Sequence, residues 1–396
     1  MAVSISPDQV LRGGVESGEV PGVVALAAND SGVIYEGAFG KREQGGAADM
    51  TVDSVFWIAS QTKAITTVAA MQLVEQGKLG LDTPAGEVVP ELAEPQVLDG
   101  FDADGSARLR PATRPITLRH LLTHTAGHVY DIWNTDMLRY HELHGIPGII
   151  ECRRVTLGNP LAFEPGSRWE YGIGIDWAGQ MVERASGQHL EDYFREHIFG
   201  PLRMVDTSFK LSPSQRSRLV SMHARGPDGS LSPIAFEVPQ EPEFFMGGGG
   251  LYSTGPDYLR FERMLLGRGT LEGAQVLRPE TVDEMSRNHI GDLTVGLLKT
   301  AMPSSSNDAE FFPGLLKRWG LGFMINEDEA PTGRSAGSLA WAGLGNTYYW
   351  IDPEKRLAGI ILTQILPFAD AGVLRLFSDF ESAIYATSAG QGARSG

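Results

Sequence analysis

A single cysteine, Cys152, is all that the 396 residues contain, which excludes an internal disulfide framework and most cysteine-built metal sites. Beside Arg153 and Arg154 this lone thiol reads as incidental and not as a nucleophile. No apolar run approaches the ~18 residues that a membrane span needs. The first residues carry neither the basic stretch nor the apolar core of a secretory leader, so a cytoplasmic protein without membrane contact is expected. Cationic residues are in deficit too: 33 Lys and Arg against 49 Asp and Glu leave a formal net charge of -16. Such a surface repels phosphates, and no nucleic-acid partner is expected.

What is present is the composition of a globular protein, 42% hydrophobic and 21% charged. The chain is too long for one compact core, so two structural domains are expected. Ser6, Pro7 and Asp8 form the cap and first turn of a short helix that ends near Gly18. Residues 23–27 and 33–38 are β-rich runs joined by a turn at 29–32. A helix follows from about residue 60 to 76, with Ile65, Val68 and Met71 at helical spacing and Gly77 at its C-terminal cap. From about 82 to 259 the pattern changes to short helices, clearest at 119–122, 175–185, 190–198 and 257–266, with loops over a site at 212–250. Strands return at 322–325, 347–351 and 357–362, a helix at 371–385 closes the fold, and the tail 388–396 is expected to fray.

Chemistry concentrates in Ser60, Gln61, Thr62 and Lys63, the one Ser-x-x-Lys of the chain. It follows a short apolar run and opens a helix, where residues three apart share a face, so Lys63 can reach Ser60. A serine hydroxyl is a weak nucleophile until a neighbouring base takes its proton. A lysine can serve as that base once burial lowers its pKa, and the helix N-terminus offers N–H groups to an oxyanion. The plainer reading of the same four residues is a capping serine followed by a surface lysine.

Further segments decide between the two. Residues 116–127, 163–171, 247–254 and 341–345, together with the Ser60 motif, resemble in order the hallmarks of the serine β-lactamase and penicillin-binding protein superfamily. Within it the chain is most similar to the class C-like carboxylesterases known as family VIII. The resemblance implies an α+β fold: an antiparallel β-sheet flanked by helices, with an inserted mainly helical domain and the active site at the junction. Residues 1–82 and 300–396 would form the sheet domain and 83–299 the helical one. It implies Tyr171 as the proton-shuttling partner of Lys63. Trp341, Ala342 and Gly343 stand where β-lactamases carry Lys-Thr-Gly on an edge strand, and the N–H of Leu344 would complete the oxyanion hole with that of Ser60. Tyr130, Phe244, Phe245 and Met246 would wall the substrate pocket, beside Trp341 and Gly343. Two departures favour esters: Ile173 replaces an asparagine that grips β-lactam side chains, and Trp341 replaces the cation that meets their carboxylate. Lys299, followed by Thr300 and Ala301, lacks the strand context to replace it.

Rival constellations are weaker. His120, His124 and His128 are spaced by four, but Gly127 interrupts a continuous helix, and His141, Glu142 and His144 fall one residue short of the helical zinc motif. Ser335 lies in a Gly-x-Ser-x-Gly pattern whose strand and helix stand in the wrong order for a nucleophile elbow. A catalytically dead binding module would have lost Ser60, Lys63 or Tyr171. The expected protein is a serine hydrolase acting on short-chain carboxylic esters, its partner a small-molecule ester, with no cofactor and no metal. A β-lactamase or D-alanyl peptidase activity, or an acyltransferase with a non-water acceptor, is the alternative. The oligomeric state stays open.

Overall fold

The first strand, β1 (Gly22–Asn29), is buried along nearly its whole length, which requires cover on both faces of the sheet it enters. The computed structural model describes residues 6–392. In it β1 turns back into β2 (Gly32–Gly40), the Asn29 carboxamide oxygen accepting from the N–H groups of Ser31 and Gly32. Five strands from the C-terminal part complete the sheet: β3 (Lys317–Trp319), β4 (Met324–Asn326), β5 (Leu339–Gly343), β6 (Thr347–Asp352) and β7 (Leu357–Leu362). They pair antiparallel in the spatial order β3-β4-β5-β6-β7-β1-β2. The protein is α+β, as its sequence leads one to expect.

The helices that frame the sheet and the site are α1 (Pro7–Glu16), α2 (Thr62–Glu75), α3 (Leu118–Leu122), α4 (Thr135–His144), α5 (Gly174–Ser186), α6 (Gly255–Leu266) and α7 (Ala371–Gly392). Ser6 caps α1 through Gln9 N–H while the Gln9 side chain accepts from Ser6 N–H, a reciprocal box that satisfies two orphan donors. Strand alternation sorts the large aromatics between the two faces. Tyr348 and Trp350 point to α7, where both meet Phe377. Tyr349 points to the opposite face and meets Tyr258 of α6, and its cross-strand partner Trp341 faces the same way, towards the site.

Several boundaries differ from expectation. α6 lies inside the 83–299 segment yet packs on β1 and β7, while α2, assigned to the sheet segment, packs mainly on α5. The division at 82 and 299 therefore does not follow the packing, because the chain returns to the sheet with α6. β5 is not an edge strand, since the short β4 and β3 extend the sheet beyond it. The 212–250 segment holds two strands, Met222–Arg225 and Leu231–Ile234, paired with each other, and the first also pairs with Ile365–Leu366. α4 had not been expected. α7 continues past Tyr385, and residues 393–396 of the expected frayed tail lie outside the described residues. No helix among the described residues is long and apolar enough to cross a membrane.

Candidate active site

Ser60 is held by what precedes it. Phe56 and Trp57 pair with Ser253 and Tyr252, and Ile58 N–H donates to Leu251 O at 3.0 Å. Ala59 then takes a left-handed conformation (φ 44°), uncommon for a residue with a Cβ, and the chain passes through the tight turn Ala59–Gln61 into α2. This kink sets Ser60 at the helix start. Gly343 at the end of β5 approaches so closely that a Cβ would overlap the Ile58 carbonyl. Strand and nucleophile turn are in backbone contact there, and Leu344 follows into the same cleft as Ser60.

Lys63 lies one turn into α2 and is 1% exposed. Its Nζ donates to Ser60 Oγ at 3.0 Å, to the Tyr130 hydroxyl at 2.8 Å and to Gly248 O at 2.6 Å. The ammonium form has three protons for these three partners; the neutral form, which burial favours, turns a lone pair to the serine hydroxyl and can take its proton. Burial pushes its pKa down, opposed by the charge of Asp176. The Tyr171 hydroxyl accepts from Trp341 Nε1 at 3.0 Å, and Tyr130 and Tyr171 both line the cleft that holds Ser60. Burial raises the pKa of Tyr130 and of Tyr171, so both phenols hold their protons at neutral pH. The Tyr130 and Tyr171 rings lie 5.2 and 4.8 Å from Lys63 Nζ, where their faces favour a cation.

The glycine run 247–250 is strapped over α2. Thr66 Oγ1 donates to Gly247 O at 2.6 Å beside the Lys63 bond to Gly248 O. Gly248 N–H in turn donates to Asp176 Oδ1 at 2.8 Å. Sequence reasoning missed Asp176, because nothing in the spacing of α5 marks a carboxylate that only a distant glycine contacts.

Around Ser60 the cleft has two recesses. One is lined by Trp57, Ile132, Trp133, Ile149, Ile150 and Met246, the other by Trp133, Tyr171, Trp341 and Phe368. Trp133 borders both, its Nε1 donating to Ser306 Oγ at 3.0 Å. Of the expected pocket residues, Tyr130, Met246, Trp341, Gly343 and Leu344 border this cleft. Tyr130 does more than wall it, being bonded to Lys63. Phe245 does not reach it: the ring lies against Phe209, 5.0 Å between centroids, in a separate crevice with Cys152. Phe244 is buried in the core. The irregular backbone before the glycines sends Phe245 away from the nucleophile and Met246 towards it.

The rival residues sit elsewhere. α3 ends at Leu122 and His124 is left-handed (φ 57°), so the three histidines share no helix face. Burial pushes His128 down to about 3 and His124 well below its usual range. No cluster among the described residues could hold a metal ion. Ser335 is buried in a turn, its N–H donating to Asp352 Oδ2 at 2.9 Å. Burial raises the Cys152 thiol to about 12, far from a reactive thiolate.

Comparison with known proteins places this geometry. The family model described as Beta-lactamase matches residues 7–381. Monacolin J acid methylbutanoyltransferase of Aspergillus terreus is 35% identical over 96% of this chain and 95% of its own. Lovastatin esterase of Penicillium rubens is 32% identical over 96% of this chain and 97% of its own. The solved structure of unliganded simvastatin synthase from Aspergillus terreus superposes with a TM-score of 0.83 at 32% identity, covering 96% of this chain and 97% of the other.

Proposed function

The chain belongs to the beta-lactamase family, a serine hydrolase and acyltransferase superfamily, and on that premise we propose that it cleaves short-chain carboxylic esters through an acyl-enzyme on Ser60. The observation that carries this reading is Lys63 Nζ, desolvated and 3.0 Å from Ser60 Oγ. As Ser60 Oγ bonds to the ester carbonyl carbon, its proton passes to Lys63. The carbonyl oxygen becomes an oxyanion held by the N–H groups of Ser60 and Leu344. Collapse breaks the bond to the alcohol oxygen, which leaves with the proton returned through Lys63 and the Tyr130 and Tyr171 hydroxyls. Water then attacks the acyl group by the same proton route in reverse.

Esters fit better than β-lactams. Position 173 offers no amide and position 341 no cation, while the recess of Trp57, Ile132, Ile149, Ile150 and Met246 suits a small apolar acyl group. Transfer to an alcohol is a second reading, favoured by the aromatic recess on the other side of Trp133 and by the methylbutanoyl transfer in one relative's name. Nitrophenyl acetate, butyrate and octanoate should be assayed beside a chromogenic cephalosporin, with Ser60→Ala as control. Short esters turned over by the wild type and not by the variant support the proposal. Ester cleavage that survives Ser60→Ala rejects it.

A further inference from the structure

Asp176 reaches the site from behind. It sits in the first turn of α5, is fully buried, and has no place in the proton route just described. Its Oδ1 accepts Gly248 N–H at 2.8 Å, and the carbonyl of that same glycine accepts from Lys63 Nζ at 2.6 Å. Oδ2 has no hydrogen-bond partner among the described residues. Only glycine fits between the two charges, because a Cβ at 248 would overlap the carboxylate. The partners of Lys63 Nζ are Ser60, Tyr130 and Gly248, not the carboxylate itself.

A carboxylate one residue away does two things that a direct ion pair would not. It leaves Nζ free to face Ser60, and it still lowers the energy of the ammonium at a buried site. The other titratable groups facing this pair are His124 from the end of α3, Tyr130 and Tyr171 from the loops beside α2, and Cys152. Burial keeps all four neutral, which leaves Asp176 as the counter-charge.

We propose that Asp176 is the positioning residue of the Ser60–Lys63 pair, fixing Gly248 and supplying the charge that lets Lys63 hold the proton taken from Ser60. The proton moves from Ser60 Oγ to Lys63 Nζ as the acyl bond forms and returns to the leaving alcohol; none is passed to Asp176. The inference rests on the acyl-enzyme reading.

Asp176→Asn tests it, since the carboxamide oxygen can still accept Gly248 N–H while the charge is gone. Removing an opposite charge at this range moves a pKa by ~1–3 units. Lys63 becomes a weaker base, so the acid limb of kcat/KM for nitrophenyl butyrate should move at least about one pH unit towards acid. The plateau kcat should fall about ten-fold or more with KM little changed, because proton transfer is impaired and binding is not. Organophosphonate should still label Ser60. An acid limb and kcat like those of the wild type overturn the proposal, as does an effect confined to KM.

Should Asp176→Asn fail to fold, the wild type and Lys63→Ala answer the question. With 13C-labelled aspartate, one buried carboxyl resonance that titrates in the wild type should titrate at higher pH in Lys63→Ala, where the neighbouring cation is gone, whereas that of Asp257 should not move; no resonance that responds to Lys63→Ala overturns the proposal. Activity retained in Ser60→Ala would reject the acyl-enzyme itself. An inactive Ser60→Ala beside an unaffected Asp176→Asn rejects only the role of Asp176.

Discussion

Removing the Tyr171 hydroxyl separates a proton-handling role from a packing role within one experiment. In Tyr171→Phe the ring keeps its contacts with His124, Tyr130, Trp133 and Trp341, whose centroids lie 4.7, 5.1, 5.4 and 4.8 Å away. What disappears is the acceptor for Trp341 Nε1 at 3.0 Å. The indole N–H is then left buried and unpaired, at a cost of ~1–3 kcal/mol. At roughly 2–4 °C per kcal/mol the melting temperature should fall by a few degrees. Loss of a positioned proton donor should lower kcat by ~10²–10⁴-fold with little change in KM.

Tyr130→Phe is the matched control. Its hydroxyl accepts from Lys63 at 2.8 Å, but Gly248 O and Ser60 Oγ remain beside Nζ, so the neutral amine keeps partners and no buried group is stranded. The stability cost should stay near the ~1 kcal/mol of one ordinary hydrogen bond, while kcat should still drop. Differential scanning fluorimetry and nitrophenyl butyrate kinetics on the two variants suffice. A Tyr171→Phe enzyme with near-normal kcat would remove that phenol from the mechanism. Equal melting temperatures in the two variants would refute the argument from the stranded indole.

Organophosphonate should add one equivalent at Ser60, mapped by peptide mass, and Ser60→Ala should abolish it; label on Ser335 or Cys152 would contradict the assignment. Lys63→Ala should lower kcat far more than it raises KM, and a purely KM effect would show that the amine binds substrate without taking its proton. On one preparation, kcat/KM for nitrophenyl acetate or butyrate should exceed that for a cephalosporin, and the reverse order would replace the esterase reading with a β-lactamase one. Glu262 is fully buried with neither oxygen partnered among the described residues, and burial raises its pKa well above the usual carboxylate range. The unfolded chain then loses this proton at lower pH than the folded one, so this residue costs stability increasingly as pH rises above the usual carboxylate range. Glu262→Gln should therefore raise the melting temperature more at pH 8 than at pH 5, and a gain that does not vary with pH would contradict it.

The local parts of this site could be read from the chain because their determinants are local. Ser60 and Lys63 meet through helical spacing alone, and β1, β2 and α1 follow from alternation, an Asn-containing turn and a capping box. Tyr171, Trp341 and Leu344 came instead from resemblance, since no spacing rule joins residues so far apart to Ser60. Asp176 was invisible for a related reason: its partner is a backbone N–H at Gly248, and hydrogen bonds to backbone leave no side-chain pattern. Tyr130 and Phe245 were both read as pocket wall. One became a partner of Lys63 and the other turned outward, an outcome set by the path of irregular backbone where no periodicity applies. That α6 packs on the sheet from within the 83–299 segment is not legible in the sequence, because an amphipathic helix looks the same whether it packs on helices or on a sheet.

Whether water or an alcohol receives the acyl group is a competition that the walls of the cleft decide. Water is present at about 55 M and a dissolved alcohol at ~5 mM, a ratio near 10⁴ that corresponds to about 5.5 kcal/mol. An apolar acceptor recovers that only by burying surface, and at ~25 cal/mol per Å² the requirement is roughly 220 Å². Methanol or ethanol has too little area to do so. A fused-ring alcohol has enough apolar area, provided that the recess of about 10 Å³ beside Trp133, Trp341 and Phe368 opens to admit it, and it would then displace the water that competes with it. Transesterification should therefore be absent with small alcohols at millimolar concentration and measurable with a bicyclic or larger one, scored by the ratio of ester to free acid formed. Equal partition to ethanol and to a decalin-type alcohol would show that the aromatic recess does not bind the acceptor, and would leave hydrolysis as the whole of the activity.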